Sequence, residues 1–224
     1  MTVAFEKVNS KVVKTVVPPG GAIIARRGAM LFYTGEVQFS PHSGGAPGAG
    51  AVGGVMGMAG RAMQGEHVAM MAAHGSGEVC YGHAGLHVTV IDMTGGGMLT
   101  VEADRLLCHD HSLQSSVVFL GSQGGLRGAV RGAMTGQGLF TTQLTGSGSV
   151  AVLSHGGTIE LPVNPNGQTV VDPQAYVGHT GQVDVDVSAN VGWRDAVGKG
   201  SGEAIQLKLT GQGTVYVQAS EQKF

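Results

Sequence analysis

A glycine-studded stretch that returns at a fixed offset constrains this chain more than any other feature. GGVMGMAGRAMQGEHVAMMAAHGSGEV, starting at Gly53, aligns at an offset of 71 with GGLRGAVRGAMTGQGLFTTQLTGSGSV, starting at Gly124, and ten of the 27 positions are identical. Glycine supplies 40 of the 224 residues and so produces matches by chance, but Ala62/Ala133, Met63/Met134 and Val79/Val150 fall in the same frame. A third copy, GWRDAVGKGSGEAIQLKLTGQGTVYV from Gly192, places Gly211, Gly213 and Val215 on Gly146, Gly148 and Val150.

The preceding segments repeat as well. GAIIARRGAMLFYTGEV from Gly21, GMLTVEADRLLCHDHSL from Gly97 and GQTVVDPQAYVGHTGQV from Gly167 share apolar spacing at offsets of 76 and 70. The change from 76 to 71 within the first pair puts five extra residues into the first copy, in the Gly, Ala and Pro-rich stretch around His42 to Gly50, where insertion costs little. The expected organisation is one domain over residues 1–224 built from three units, 17–92, 93–163 and 164–220.

Each unit reads as β. Ile205, Leu207 and Leu209 alternate with Gln206 and Lys208, and Val183, Val185 and Val187 with Asp184 and Asp186, the pattern of strands with one buried and one wet face. Asp184 and Asp186 are therefore read as solvated strand residues, not as paired catalytic acids. The runs GLFTTQLTGSGSVAVLS and AIQLKLTGQGTVYVQ predict hairpins that reverse at Thr-Gly-Ser-Gly and Thr-Gly-Gln-Gly. The glycine-rich connections, such as GGLRGAVRGAM, fit either a weak helix or an ordered loop.

Composition bounds the class. An apolar fraction of 42% with a formal charge of -2 belongs to a folded globular chain. Two cysteines, Cys80 and Cys108, cannot make a disulfide framework, and no charged-then-apolar leader precedes Val3 to Val17, so a reducing cytoplasm is the expected location. The longest stretch without a charged side chain, Val37 to Gly60, is mostly Gly and Ala and predicts no membrane span.

The patterns GAM-xxx-TG-xV at Gly28 to Val37 and G-x-G-LF-xxx-LTG-xG-xV at Gly136 to Val150, with the closing LTGQGTVYVQ, resemble the altered inheritance of mitochondria 24 (mitochondrial biogenesis) family over roughly residues 14 to 219. The resemblance implies a fold similar to the tryptophan RNA-binding attenuation protein, TRAP. That means an all-β chain with three internal repeats in a pseudo-threefold sandwich or double-stranded β-helix-like arrangement. It carries over no catalytic residue, and fold likeness does not transfer function. The second unit departs from the pattern, with Cys108, His109, Asp110 and His111 in place of the glycine-containing turn.

That segment is also the densest set of metal-ligand types, and His109, His111 and Cys108 are the candidate ligands. Against it, Phe32-Tyr33-Thr34-Gly35 and Gly178-His179-Thr180-Gly181 occupy the same place in the other units without a ligand set, and no Cys-x-x-Cys or His-Glu-x-x-His spacing occurs. No Gly-x-Ser-x-Gly or Gly-Lys-Ser/Thr pattern supports hydrolysis or nucleotide binding. No catalytic residue and no cofactor are assigned. RNA readers need cationic grooves with aromatic platforms, and the nearest approach is Trp193 beside Arg194 with Arg127 and Arg131, so nucleic acid is not the expected partner. The expected function is a non-catalytic scaffold or interaction protein, a homo-oligomer holding itself or an unidentified protein through the apolar connection residues Val55, Met56, Met58 and Met63. RNA binding by fold analogy and a histidine-ligated metal site are the alternatives.

Overall fold

The computed structural model describes residues 4–42, 68–120, 140–189 and 205–222. Within them the chain is all-β, as its alternation predicts, with one turn of 3-10 helix at Ala103–Arg105. A first antiparallel sheet contains β1 (Phe5–Asn9), β2 (Val12–Val16), β3 (Ile23–Arg26), β4 (Met30–His42), β5 (Met70–Tyr81), β6 (His87–Asp92), β8 (Leu106–Asp110) and β11 (Ser149–Ser154). Its order is β1-β2-β5-β3-β8-β11-β6, with β4 on β5. A second contains β7 (Met98–Glu102), β9 (Gln114–Phe119), β10 (Phe140–Thr145), β12 (Thr158–Val163), β13 (Thr169–Val171), β14 (Tyr176–Ala189) and β15 (Ile205–Gln218). Its order is β12-β15-β14-β7-β10-β9, with β13 on β15.

The frame of both sheets is a set of two-stranded ribbons. β4 pairs with β5 from Met30↔Tyr81 to His42↔Met70, and β14 with β15 from Tyr176↔Val217 to Ala189↔Ile205. Between them in sequence, β8 and β9 face β11 and β10 in the same sense, but β8 and β11 belong to the first sheet while β9 and β10 belong to the second. The middle ribbon thus leads the chain from one sheet into the other. Each ribbon ends where a glycine-rich connection begins, and those connections lie outside the described residues, with Val55, Met56, Met58, Met63, Arg127, Arg131, Trp193 and Arg194.

The predicted hairpins at Thr-Gly-Ser-Gly and Thr-Gly-Gln-Gly do not form. β15 runs unbroken from Ile205 to Gln218 opposite the equally long β14, and β10 and β11 pair with different neighbours in different sheets. The glycines bend strands instead of reversing them. Gly181 and Gly211 lie within one ladder at φ +84 and +108, and a Cβ on Gly211 would collide with the Gln182 carbonyl oxygen of the opposing strand. Gly35 and Gly75 do the same in the first ribbon, at φ +81 and +113. A positive φ inside a paired strand tilts the ladder, and with both strands kinked close together the pairing continues across the bend.

The middle ribbon has His111 where the others have Gly35 and Gly181, and there the strand stops. β8 ends at Asp110 and β9 begins at Gln114. The intervening turn is fastened by the Leu113 N–H donating to the Asp110 carbonyl at 3.2 Å and the Ser112 N–H donating to Asp110 Oδ1 at 2.9 Å.

Burial follows the predicted alternation at Val183, Val185, Leu207 and Leu209, which are buried, and at Asp184 and Asp186, which are exposed, but Val187 near the end of β14 is 38% accessible and departs from it. One core cluster draws on both sheets, packing Ile91, Leu106, Val150 and Val152 of the first against Leu99, Val101, Leu144 and Val177 of the second. Each such side chain contributes about 1.5–3 kcal/mol by leaving water. Gly211→Val is expected to destabilise the fold by about 2 kcal/mol or more, since it combines strain at positive φ with a backbone collision. Gly85→Ala, at φ +69 with nothing within 4 Å, is expected to cost about 1 kcal/mol. Equilibrium urea unfolding of both variants checks the ranking.

Candidate functional site

The segment singled out for chemistry, Cys108 to His111, straddles the end of β8. Cys108 is fully buried, and burial pushes its thiol above the ordinary range, which keeps it protonated and unreactive. Cys80 is buried too, and both cysteines are free thiols. His109 is buried against Ile24 of β3, its Nδ1–H donates to the Asp110 carbonyl at 2.8 Å, and burial lowers its pKa to about 4, so the ring is neutral at pH 7. His111 is exposed, with Nδ1 3.2 Å from Asp110 Oδ1. The structure therefore joins His111 to Asp110, while Cys108 and His109 sit within the packed strand. Among the described residues, no group of three or more His, Cys, Asp and Glu side chains is placed to hold a metal ion.

His109 has a counterpart that sequence reading did not assign. His179 of β14 is buried opposite Thr100 of β7, shares a 2.7 Å hydrogen bond between Nδ1 and the Tyr176 hydroxyl, and is likewise lowered to about 4 by burial. The two strand junctions match rung for rung. β3 and β8 pair as Ile23↔Asp110, Ile24↔His109 and Ala25↔Cys108, and β7 and β14 as Leu99↔Thr180, Thr100↔His179 and Val101↔Gly178. In each, a histidine faces a β-branched residue across the central rung, a packing that favours sheet pairing.

The corresponding stretch of β4 is exposed. Leu31, Phe32 and Tyr33 are 51%, 57% and 45% accessible, although the equivalent residues of β8 and β14 are buried. β13 is exposed at Val170, at 50%. Among the described residues β4 pairs only with β5, and β13 only with β15.

The buried polar centre is Arg105, fully inaccessible at the end of the 3-10 turn. Its Nε–H donates to Glu102 Oε2 at 3.1 Å, one terminal nitrogen donates to Gln218 Oε1, and the other reaches the carbonyls of Gln174 at 3.2 Å and Gln222 at 3.3 Å. Gln218 Nε2 donates to the Gln174, Ser220 and Gln222 carbonyls, and its Oε1 accepts the His155 N–H. This clasp ties β7, the end of β15 and the final residues together. Its groups are engaged with one another, as in a structural fastening. The available signal was the single cation of VEADRLLC, placed directly before the apolar run Leu106 to Cys108 and three residues after Glu102.

Two outcomes follow from these burials. Arg105→Met is expected to destabilise by about 3–5 kcal/mol in urea unfolding, because Glu102 loses its guanidinium partner inside the protein, and Arg105→Met with Glu102→Leu should cost less. His109 and His179 bind their protons less readily folded than unfolded, so between pH 6.5 and about 4 the unfolded chain holds more protons. Stability is therefore complete above pH 6.5 and falls with pH down to about 4, by on the order of 3 kcal/mol for each ring. His109→Asn, which keeps a donor for the Asp110 carbonyl, should flatten that decline when unfolding is followed across this range.

Comparison with known proteins agrees with this architecture. The protein SPYM3_0169 from Streptococcus pyogenes has a similar structure, with a TM-score of 0.72 at 19% identity over 97% of this chain and 93% of that one. At that identity the likeness speaks for the fold alone. No curated protein matches the sequence. The family model described as mitochondrial biogenesis AIM24 matches residues 4–220, nearly the whole length, and the chain belongs to that family.

Proposed function

We propose that the protein is a non-catalytic scaffold that acts by binding, first of all to further copies of itself, in a reducing cytoplasm. The observation that carries this reading is the row Leu31, Phe32 and Tyr33, three large apolar side chains in succession on a strand that pairs on one edge only among the described residues. Strand edges left in water normally carry charge or proline, because a bare apolar edge recruits another strand. The buried polar groups support the same reading from the other side. Arg105, Glu102 and Gln218 are engaged with one another, and His109 and His179 are held neutral in packed strands. Two buried free thiols suit a reducing compartment. Among the described residues no helix is long and apolar enough to cross a membrane. The methionine-rich connection through Met56 and Met58 offers a second adaptable apolar contact by its composition.

Light scattering on the purified chain, with absorbance at 260 and 280 nm, is the direct test. The expected result is a mass above the monomer's 22.7 kDa with a protein-like absorbance ratio, and reduced assembly when Met56 and Met58 are both replaced by Ser. A strict monomer whose solubility and mass ignore those replacements would sink the proposal. Co-purifying nucleic acid, or salt-sensitive retention of labelled RNA pools, would replace it with RNA binding.

A further inference from the structure

The two matched junctions within the chain define a third that the described residues leave open. Three strands occupy one position in the pairing scheme: Ile23 of β3 pairs with Ala73, Leu99 of β7 with Leu144, and Thr169 of β13 with Leu209. Those partners each stand two residues before a positive-φ glycine, Gly75, Gly146 and Gly211. A second position is shared by Thr34, Asp110 and Thr180, which directly precede Gly35, His111 and Gly181. Rungs join the second position of one ribbon to the first position of the ribbon before it, Ile23↔Asp110 and then Leu99↔Thr180. Continuing the series leaves Thr169 of β13 at one end of the chain and Thr34 of β4 at the other, without a partner strand on those edges among the described residues.

We propose that β13 of one copy pairs antiparallel with β4 of the next, in the register Thr169↔Thr34, Val170↔Tyr33 and Val171↔Phe32. This rests on the self-association reading above and names its surface. The occupant is a second copy because the two edges are the two halves of a junction already made twice in this sequence, and their residues repeat its chemistry. His109 faces Ile24 and His179 faces Thr100, while Tyr33 would face Val170, again a ring against a β-branched side chain. Tyr33 is also backed by Phe39, with ring centroids 5.5 Å apart, which holds the ring on the strand that presents it. The residues of the two closed junctions are buried, apart from part-buried Thr180, and Tyr33 and Val170 are half exposed, the difference expected of an edge whose partner is another molecule. The contact is head-to-tail, so each copy keeps one free edge for the next until a ring closes.

The test uses the full chain in light scattering over a dilution series, with circular dichroism to follow folding. Tyr33→Lys and Val170→Lys should each reduce the mass to 22.7 kDa at concentrations where the wild type is larger, and Tyr33→Lys combined with Val170→Glu should restore it. An assembled wild type indifferent to both single variants overturns the junction while leaving self-association standing. A wild type that is monomeric throughout overturns both. Dissociation by Tyr33→Lys alone, with Val170→Lys inert, overturns the head-to-tail pairing in favour of β4 against β4. Failure of the opposite-charge pair to restore mass overturns the register. Hydrogen exchange on the wild type decides the matter without substitutions. Amides in Phe32–Thr34 and Thr169–Val171 should exchange more slowly as concentration rises, and exchange independent of concentration overturns the proposal.

Discussion

Two strands can bend together and stay paired only if both backbones yield close to the same rung, and this fold is organised around meeting that condition. Gly181 and Gly211 meet it in one ribbon and Gly35 with Gly75 in another, each at a φ where a side chain is strained. Because the ladder is never broken there, ribbons with strands of 12 to 14 residues are possible, well beyond the usual strand length. Long ribbons in turn offer two edges along two differently directed halves. β5 takes β2 on one half and β3 on the other, and β15 takes β12 and β13. The sheet order is a consequence of where the glycines let the ribbons turn.

The middle ribbon solves the same problem in another way. With His111 where a left-handed glycine would be, the strand ends and a short turn held by the Asp110 carboxylate takes over. β8 and β11 remain in one sheet and β9 and β10 pass to the other, so the joint between sheets falls at the one place where the bend is a break. Such a joint transmits little through backbone hydrogen bonds. It is compensated by the apolar cluster drawn from both sheets and by the Arg105 clasp, whose donors reach β7, β15 and the last described residues.

The all-β class was legible in the sequence, and so were the buried faces of β14 and β15 at Val183, Val185, Leu207 and Leu209. Offsets of 76 and 70 align Ile23, Leu99 and Thr169, and those residues occupy one position in the observed pairings. The behaviour of the glycines was illegible because a positive-φ residue between two β-rich runs serves a reversal and a bend equally well, and only the identity of the opposing strand distinguishes them. That partner is distant in sequence, Gln182 for Gly211. Arg105 escaped notice for a similar reason, since its acceptors are spread from Glu102 to Gln222 and no local spacing announces them. The cluster at Cys108 to His111 shows the opposite relation between sequence and space. Its ligand types are adjacent in sequence, but burial separates them into a core thiol, a neutral packed ring and one exposed histidine.

Strand edges explain why strand segments that precede Gly35, His111 and Gly181 carry such different surfaces. Leu106–Asp110 and Tyr176–Thr180 each lie between two strands, and their side chains are buried or nearly so. Among the described residues Met30–Thr34 has one neighbour, yet its side chains are no more polar than theirs. A strand adapted to remain at an edge would carry lysine, proline or an inward charge; β4 has Glu36 and Pro41 beyond its bend, but the stretch before Gly35 carries Leu31, Phe32 and Tyr33. The composition of that stretch is that of an interior strand. At the opposite end of the chain Val170 on β13 departs from edge composition in the same sense, so the two terminal edges share one chemistry although more than a hundred residues separate them. An edge surface that keeps interior character at both ends is consistent with a sheet that continues into the next molecule.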